Sequence, residues 1–172
     1  MDADRIDKYI TQRNLSPFPI DERGFYHNMV SLIISQRIRF SQARRIRSKI
    51  YEILGESTLD QIMTLTESQR TQCGLGPAKW QVIADFSGLF EKGSVSTDYT
   101  TIKGIGPWTI NCAQLMAGDY SCGFLSTDSS VNALVRRVLQ RDLSSREIES
   151  LYSDREAGGR AFSALWNSLR NQ

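Results

Sequence analysis

The sequence predicts an all-α fold, and three observations carry that prediction. Apolar residues recur at three- and four-residue spacings, as in Ile33 and Ile34 and then Ile46, Ile50, Ile53 and Leu54, which stripes one face of a helix. Capping boxes, in which a Ser or Thr and a Glu or Gln three residues on satisfy each other's backbone amides, pair Thr58 with Gln61, Thr66 with Gln69, Ser144 with Glu147 and Ser153 with Glu156. No stretch alternates apolar and polar residues as a half-buried strand does.

Along the chain, a first helix is expected near 3–14. The isoleucine stripes place the next two near 24–36 and 41–54, the second ending at Gly55 in a left-handed cap. The boxes at Thr58 and Thr66 open short helices near 58–64 and 67–73. Trp80, Phe86 and Phe90 fall at core spacing on a helix near 77–91, with Gly93 as its left-handed cap. Asp98 caps a short helix near 98–102, and Pro107 suits the first turn of one near 107–117, closed by Gly118. Asp128 can cap a helix over 129–140, and the last two boxes open helices near 145–151 and 154–170. With no repeat, low-complexity tract or linker, residues 1–172 read as a single domain.

Composition narrows the function classes. The chain has 172 residues, 40% of them hydrophobic and 23% charged, with 12 Gly and 4 Pro, which argues against disorder and fibrous repeats. No apolar run approaches the roughly 18 residues that span a bilayer. The charged start, MDADRIDKYITQRN, lacks the apolar stretch of a signal peptide. An intracellular protein is expected, cytoplasmic or nucleoid-associated in a prokaryote and nuclear in a eukaryote. Three cysteines without CxxC spacing and a single histidine, His27, argue against a disulfide scaffold, an iron–sulfur cluster and a structural zinc site. His27 reads as structural or surface.

The charge is informative in its distribution. Between Glu22 and Glu52 there is no acidic residue, yet the stretch holds Arg23, Arg37, Arg39, Arg44, Arg45, Arg47 and Lys49. Seven cations without a counter-charge form an electrostatic footprint for an anionic polymer, or a solvated helix face. The segment 101–118, TIKGIGPWTINCAQLMAG, adds a second clue. Gly104 and Gly106 flank one apolar residue, so the backbone can turn tightly and approach another molecule. Lys103, Ile105 and Thr109 belong to the same turn, and the amides at the following helix start can meet a phosphate oxygen.

GIGPWT, followed 24 residues after Gly104 by the aspartate of FLSTDSSV, resembles the helix-hairpin-helix/Gly-Pro-Asp DNA glycosylase superfamily. Within it the chain is most similar to 3-methyladenine DNA glycosylase II. Ile33-Ile34-Ser35-Gln36 with the helix SQARRIRSKIYEILG resembles the family's Gln-containing turn and next helix, and Cys73-Gly74-Leu75-Gly76-Pro77-Ala78-Lys79 its small turn before another helix. The three motifs span residues 24 to about 140 in the family's order; beyond that the match is helix alone.

The resemblance implies a two-lobed helical fold with a DNA-binding cleft between the lobes. One lobe covers about 24–126 and includes the hairpin; the other joins 1–23 to 127–172. It implies Asp128 as the catalytic carboxylate, since cleaving an N-glycosidic bond builds positive charge on the deoxyribose. Capping is the competing role for Asp128, and Asp98 and Asp119 are the competing acids. Members that also cut the strand carry a lysine where this chain has Trp108, which has no amine for a Schiff base. Gln36 and Arg37 occupy the turn that fills the gap left by a flipped base, and Leu75 the turn that wedges the opposite strand, with Lys79 just beyond. Arg37 departs from the apolar residue of the glycosylase II pattern, Ile110 replaces a small alanine, and Ser126-Thr127 replace a Gly/Pro element. Phe25, Tyr26, Trp108, Phe124 and Trp166 are candidates for a pocket that attracts a cationic alkylated purine, each of them equally a candidate for the core.

The expected function is a monofunctional glycosylase acting on double-stranded DNA with a damaged base. It would be a monomer, with an abasic-site endonuclease downstream and no cofactor beyond a possible monovalent cation at the hairpin. The alternatives are the same fold acting on oxidised, deaminated or mismatched bases, and a non-catalytic DNA-binding protein.

Overall fold

A computed structural model describes residues 2–93 and 97–170. Among the described residues nine α-helices follow one another: α1 (Asp2–Gln12), α2 (Gly24–Ser35), α3 (Phe40–Leu54), α4 (Glu67–Cys73), α5 (Pro77–Lys92), α6 (Pro107–Met116), α7 (Ser129–Leu139), α8 (Ser145–Glu149) and α9 (Arg155–Arg170). Short 3-10 turns lie at Ile62–Thr64 and Tyr99–Thr101, and no strand is present among the described residues. None of the described helices is long and apolar enough to cross a membrane.

The chain divides into two compact units: Glu22–Ala113, and Met1–Asp21 together with Gln114–Gln172. The division falls inside α6, earlier than the boundary near 126 expected from the sequence. In the contiguous unit α2 is the central helix, with every residue from His27 to Ile34 buried, and α3 and α5 pack against it. Its core includes Met29, Ile33, Ile50, Leu59, Ile83 and Phe86. In the unit built from both ends of the chain, α1 and α9 pack against α7 and against each other. Its core centres on Ile6, Leu115, Val135, Leu139, Phe162 and Leu165.

Four local expectations are corrected. The segment near 58–64 is helical only at Ile62–Thr64. The Thr58 hydroxyl takes the Asp60 amide, Gln61 donates to Glu56, and the buried Leu59 amide donates to His27 Nδ1 at 3.0 Å. A contact from α2 therefore overrides the local capping signal, and it makes His27 a structural residue. Near 98–102 the chain forms only the 3-10 turn, with Asp98 accepting from the Thr100 amide. Gly93 is not left-handed (φ −73°); a Cβ there would lie 2.6 Å from Thr97 Oγ1 and 3.1 Å from Leu89 O, so a side chain could enter only if a neighbour shifted. The cap of α9 is Asp154, not Ser153: its carboxylate accepts from the amides of Glu156 and Ala157. The boxes at Thr66 and Ser144 form as expected.

Candidate functional site

Three segments far apart in sequence are tied together at the end of α2. A helix leaves its last carbonyls without partners, and here Lys79, in the first turn of α5, supplies them: its ammonium donates to Ile33 O at 3.0 Å and to Gln36 O at 2.5 Å. Burial, with Arg37 nearby, lowers the pKa of that ammonium. The Gln36 side chain reaches the other way, donating to Gly104 O at 3.0 Å and Thr109 Oγ1 at 3.3 Å. Gln36 and Lys79 thus hold the 36–39 turn and the 103–109 hairpin in one arrangement. Arg37, at the tip, is exposed and left-handed (φ 56°), a conformation few non-glycine residues adopt.

The hairpin is anchored from below. Ile102 and Ile105 are buried, and the Ile105 amide donates to Ile102 O at 3.0 Å. Asp98, with a carboxyl pKa lowered by hydrogen bonds from Thr100, fixes the 3-10 turn that leads in. Gly104 has φ +103° and sits against Val82, whereas Gly106 has nothing within 4 Å of where a Cβ would stand. Lys103 and Pro107 are exposed beside these glycines, and Pro107 opens α6. Thr109 is buried, so its hydroxyl serves Gln36 and not solvent.

Asp128, in the other unit, is the N-cap of α7. Its Oδ1 accepts from the amides of Ser130 at 3.0 Å and Val131 at 2.9 Å, where the helix dipole favours a negative charge. The segment before it is braced on several sides. Buried Asn132 donates to Ser126 O at 2.7 Å, Ser126 Oγ lies 3.3 Å from Glu149, and Arg155 donates to the carbonyls of Ser121 and Cys122. Asn132 was not singled out from sequence. The available signal was an amide on the buried stripe of a helix, four residues after the cap. The competing acids have local roles: Asp98 caps the 3-10 turn, and Asp119 accepts from the Ser121 amide.

The aromatic candidates separate. Phe25 and Tyr26 join Phe86, Phe90 and Tyr99 in one cluster, with the Tyr26 hydroxyl 2.7 Å from Ser87 Oγ. Trp108, in the same unit, is half-buried on the first turn of α6. Phe124 and Trp166 are 5% and 6% exposed and pack around Phe162 in the core of the other unit. Leu75 is only 4% exposed, so it packs inside its unit and presents no wedge at the surface. No group of three or more His, Cys, Asp or Glu side chains is placed to hold a metal ion among the described residues.

No protein-family model and no curated protein matches the sequence. Among solved structures, the fold is similar to that of a DNA-3-methyladenine glycosidase from Bacillus halodurans, with a TM-score of 0.69 and 17% identity, covering 88% of this chain and 77% of that one. The likeness establishes a shared fold.

Proposed function

We propose that this chain is a DNA glycosylase that hydrolyses the N-glycosidic bond of a damaged base turned out of duplex DNA. The substrate class is an alkylated purine such as 3-methyladenine. The observation that carries the reading is Asp128, a carboxylate fixed at a helix start in a chain with the fold of a DNA-3-methyladenine glycosidase. As the bond from C1′ to the base nitrogen breaks, the electron pair leaves with the base and positive charge collects on the deoxyribose. An oriented carboxylate stabilises that charge; water then adds to C1′ and passes its proton to the carboxylate. Capping orients the Asp128 carboxylate through Oδ1. Trp108 offers no amine for a Schiff base, so the strand stays uncut and an abasic site is handed to an abasic-site endonuclease. The chemistry as written needs no metal or organic cofactor.

The DNA is held by the Gly104–Gly106 turn and Lys103 at the backbone. Arg37 fills the gap, because the Gln36 amide and the Lys79 ammonium are committed to the scaffold and Leu75 is buried. Phe25, Tyr26 and Trp108 are the aromatic faces available to a cationic purine. A second reading, a non-catalytic DNA-binding protein, is favoured by one observation: two amides on Asp128 Oδ1 are what any N-cap acquires.

Single-turnover incubation with a panel of lesion-containing duplexes, including a methylated purine, separates the two. Wild type and Asp128→Asn are compared on denaturing gels with and without hot alkali. Alkali-dependent breaks with wild type, lost by at least about 100-fold in the variant, are expected for a carboxylate that stabilises developing charge. No break on any lesion, with DNA binding retained and strengthened in Asp128→Asn, supports the binder.

A further inference from the structure

We propose that Phe40 is a stacking platform for a nucleobase, with its neighbouring arginines as the phosphate contacts. This rests on the reading of the chain as a protein that opens duplex DNA. Phe40 is the first residue of α3 and 46% exposed. An isolated apolar side chain at a surface is ordinary; what distinguishes this one is its support and its surroundings.

The ring is braced from beneath. The Arg47 guanidinium lies 5.9 Å from the ring centroid, and Arg47 Nη1 donates to Ser35 Oγ at 2.9 Å. Ser35 Oγ in turn donates to Ser31 O on α2 at 2.8 Å. Arg47 is partly buried, which lowers its pKa, so this is an arginine partly withdrawn from water to support an aromatic side chain.

The surroundings select the partner. Arg37, Arg39, Arg44 and Arg45 are exposed, and Arg44 stands one helical turn from Phe40 on the same face. No acidic residue lies between Glu22 and Glu52. The other exposed large apolar residues among those described differ: Ile20 is followed by Asp21 and Glu22, Met63 comes soon after Asp60, and Phe90 precedes Glu91 and packs against Tyr26, Phe86 and Tyr99. An exposed aromatic face beside exposed guanidinium groups matches a π-faced group on a polyanion, which is a base unstacked in DNA. The ring also follows the 36–39 turn directly, so a strand opened at Arg37 would present its exposed base faces close by.

The test uses a duplex carrying a tetrahydrofuran abasic analogue opposite 2-aminopurine, compared with the fully paired duplex. Affinity and 2-aminopurine fluorescence are measured for wild type, Phe40→Leu and Phe40→Tyr, with thermal melting as a check on folding. Leucine keeps an apolar side chain and removes the π face. Phe40→Leu is expected to lose about tenfold in affinity for the gapped duplex, to bind the paired duplex as wild type does, and to leave the fluorescence unquenched. Phe40→Tyr retains both properties. A Phe40→Leu protein that still prefers the gapped duplex and still quenches overturns the proposal, as does an equal loss on both duplexes. Because the analogue cannot be cleaved, absence of base release from lesion duplexes counts against the glycosylase reading alone.

Discussion

Gly104 and Gly106 share a turn but not a reason for being glycine. Gly104 has a backbone angle that side chains rarely tolerate and Val82 packed against it, whereas a Cβ on Gly106 would enter open space. Substituting alanine therefore separates folding from binding. Gly104→Ala should lower stability by about 1 kcal/mol or more, read as a reduced denaturant midpoint. Gly106→Ala should leave the unfolding free energy within about 0.5 kcal/mol of wild type and weaken binding to DNA of any sequence, because phosphate contacts carry no base information. A Gly106→Ala protein with unchanged affinity would remove the hairpin from the DNA-binding surface.

At the scale of elements, the approach of α9 to the 120–124 segment depends on two small residues. A Cβ on Gly159 would lie 2.3 Å from Tyr120 O, and one on Gly158 would lie 3.1 Å from the Phe124 amide. Backbone cannot yield as a side chain tip can, so Gly159→Ala should destabilise by about 2 kcal/mol or more. The drop would appear as a lowered melting temperature. The same segment leads to Asp128, so a base-release rate that falls further than the folded fraction would show that this packing also sets the carboxylate. Helices such as α3 and α7 were legible in the sequence because their apolar period and caps are local properties of the chain. The failures have non-local causes. Thr58 lost its helix to His27 more than thirty residues away, and the contacts of Gln36 with Gly104 and Thr109 join positions some seventy residues apart that no local pattern connects. Asp154 displaced Ser153 because two adjacent residues could each cap, and spacing alone does not choose between them. Asp128 was legible as a cap because an acid just before Ser129 and Ser130 is a local helix-start signal.

For the whole molecule, charge placement matters more than the net charge of +2. Binding of DNA through Arg37, Arg39, Arg44 and Arg45, as proposed, would release counterions, so log affinity should fall with log salt by roughly 0.9 per phosphate neutralised. Arg44→Ala with Arg45→Ala should flatten that slope by about two if both meet phosphate. A double variant with the wild-type slope would turn this face of α3 away from the DNA.

The two units also differ in when they can exist. Glu22–Ala113 is a continuous run of chain, whereas the unit carrying Asp128 needs α1 to meet α7 and α9. During synthesis at about 5–20 residues per second, α1 is made roughly 6–30 seconds before its partners α7 and α9. The hairpin and the arginine-bearing turn belong to the part that can be completed first. A nascent chain would thus complete the segments proposed to grip nucleic acid before the carboxylate proposed to cut the glycosidic bond is in place.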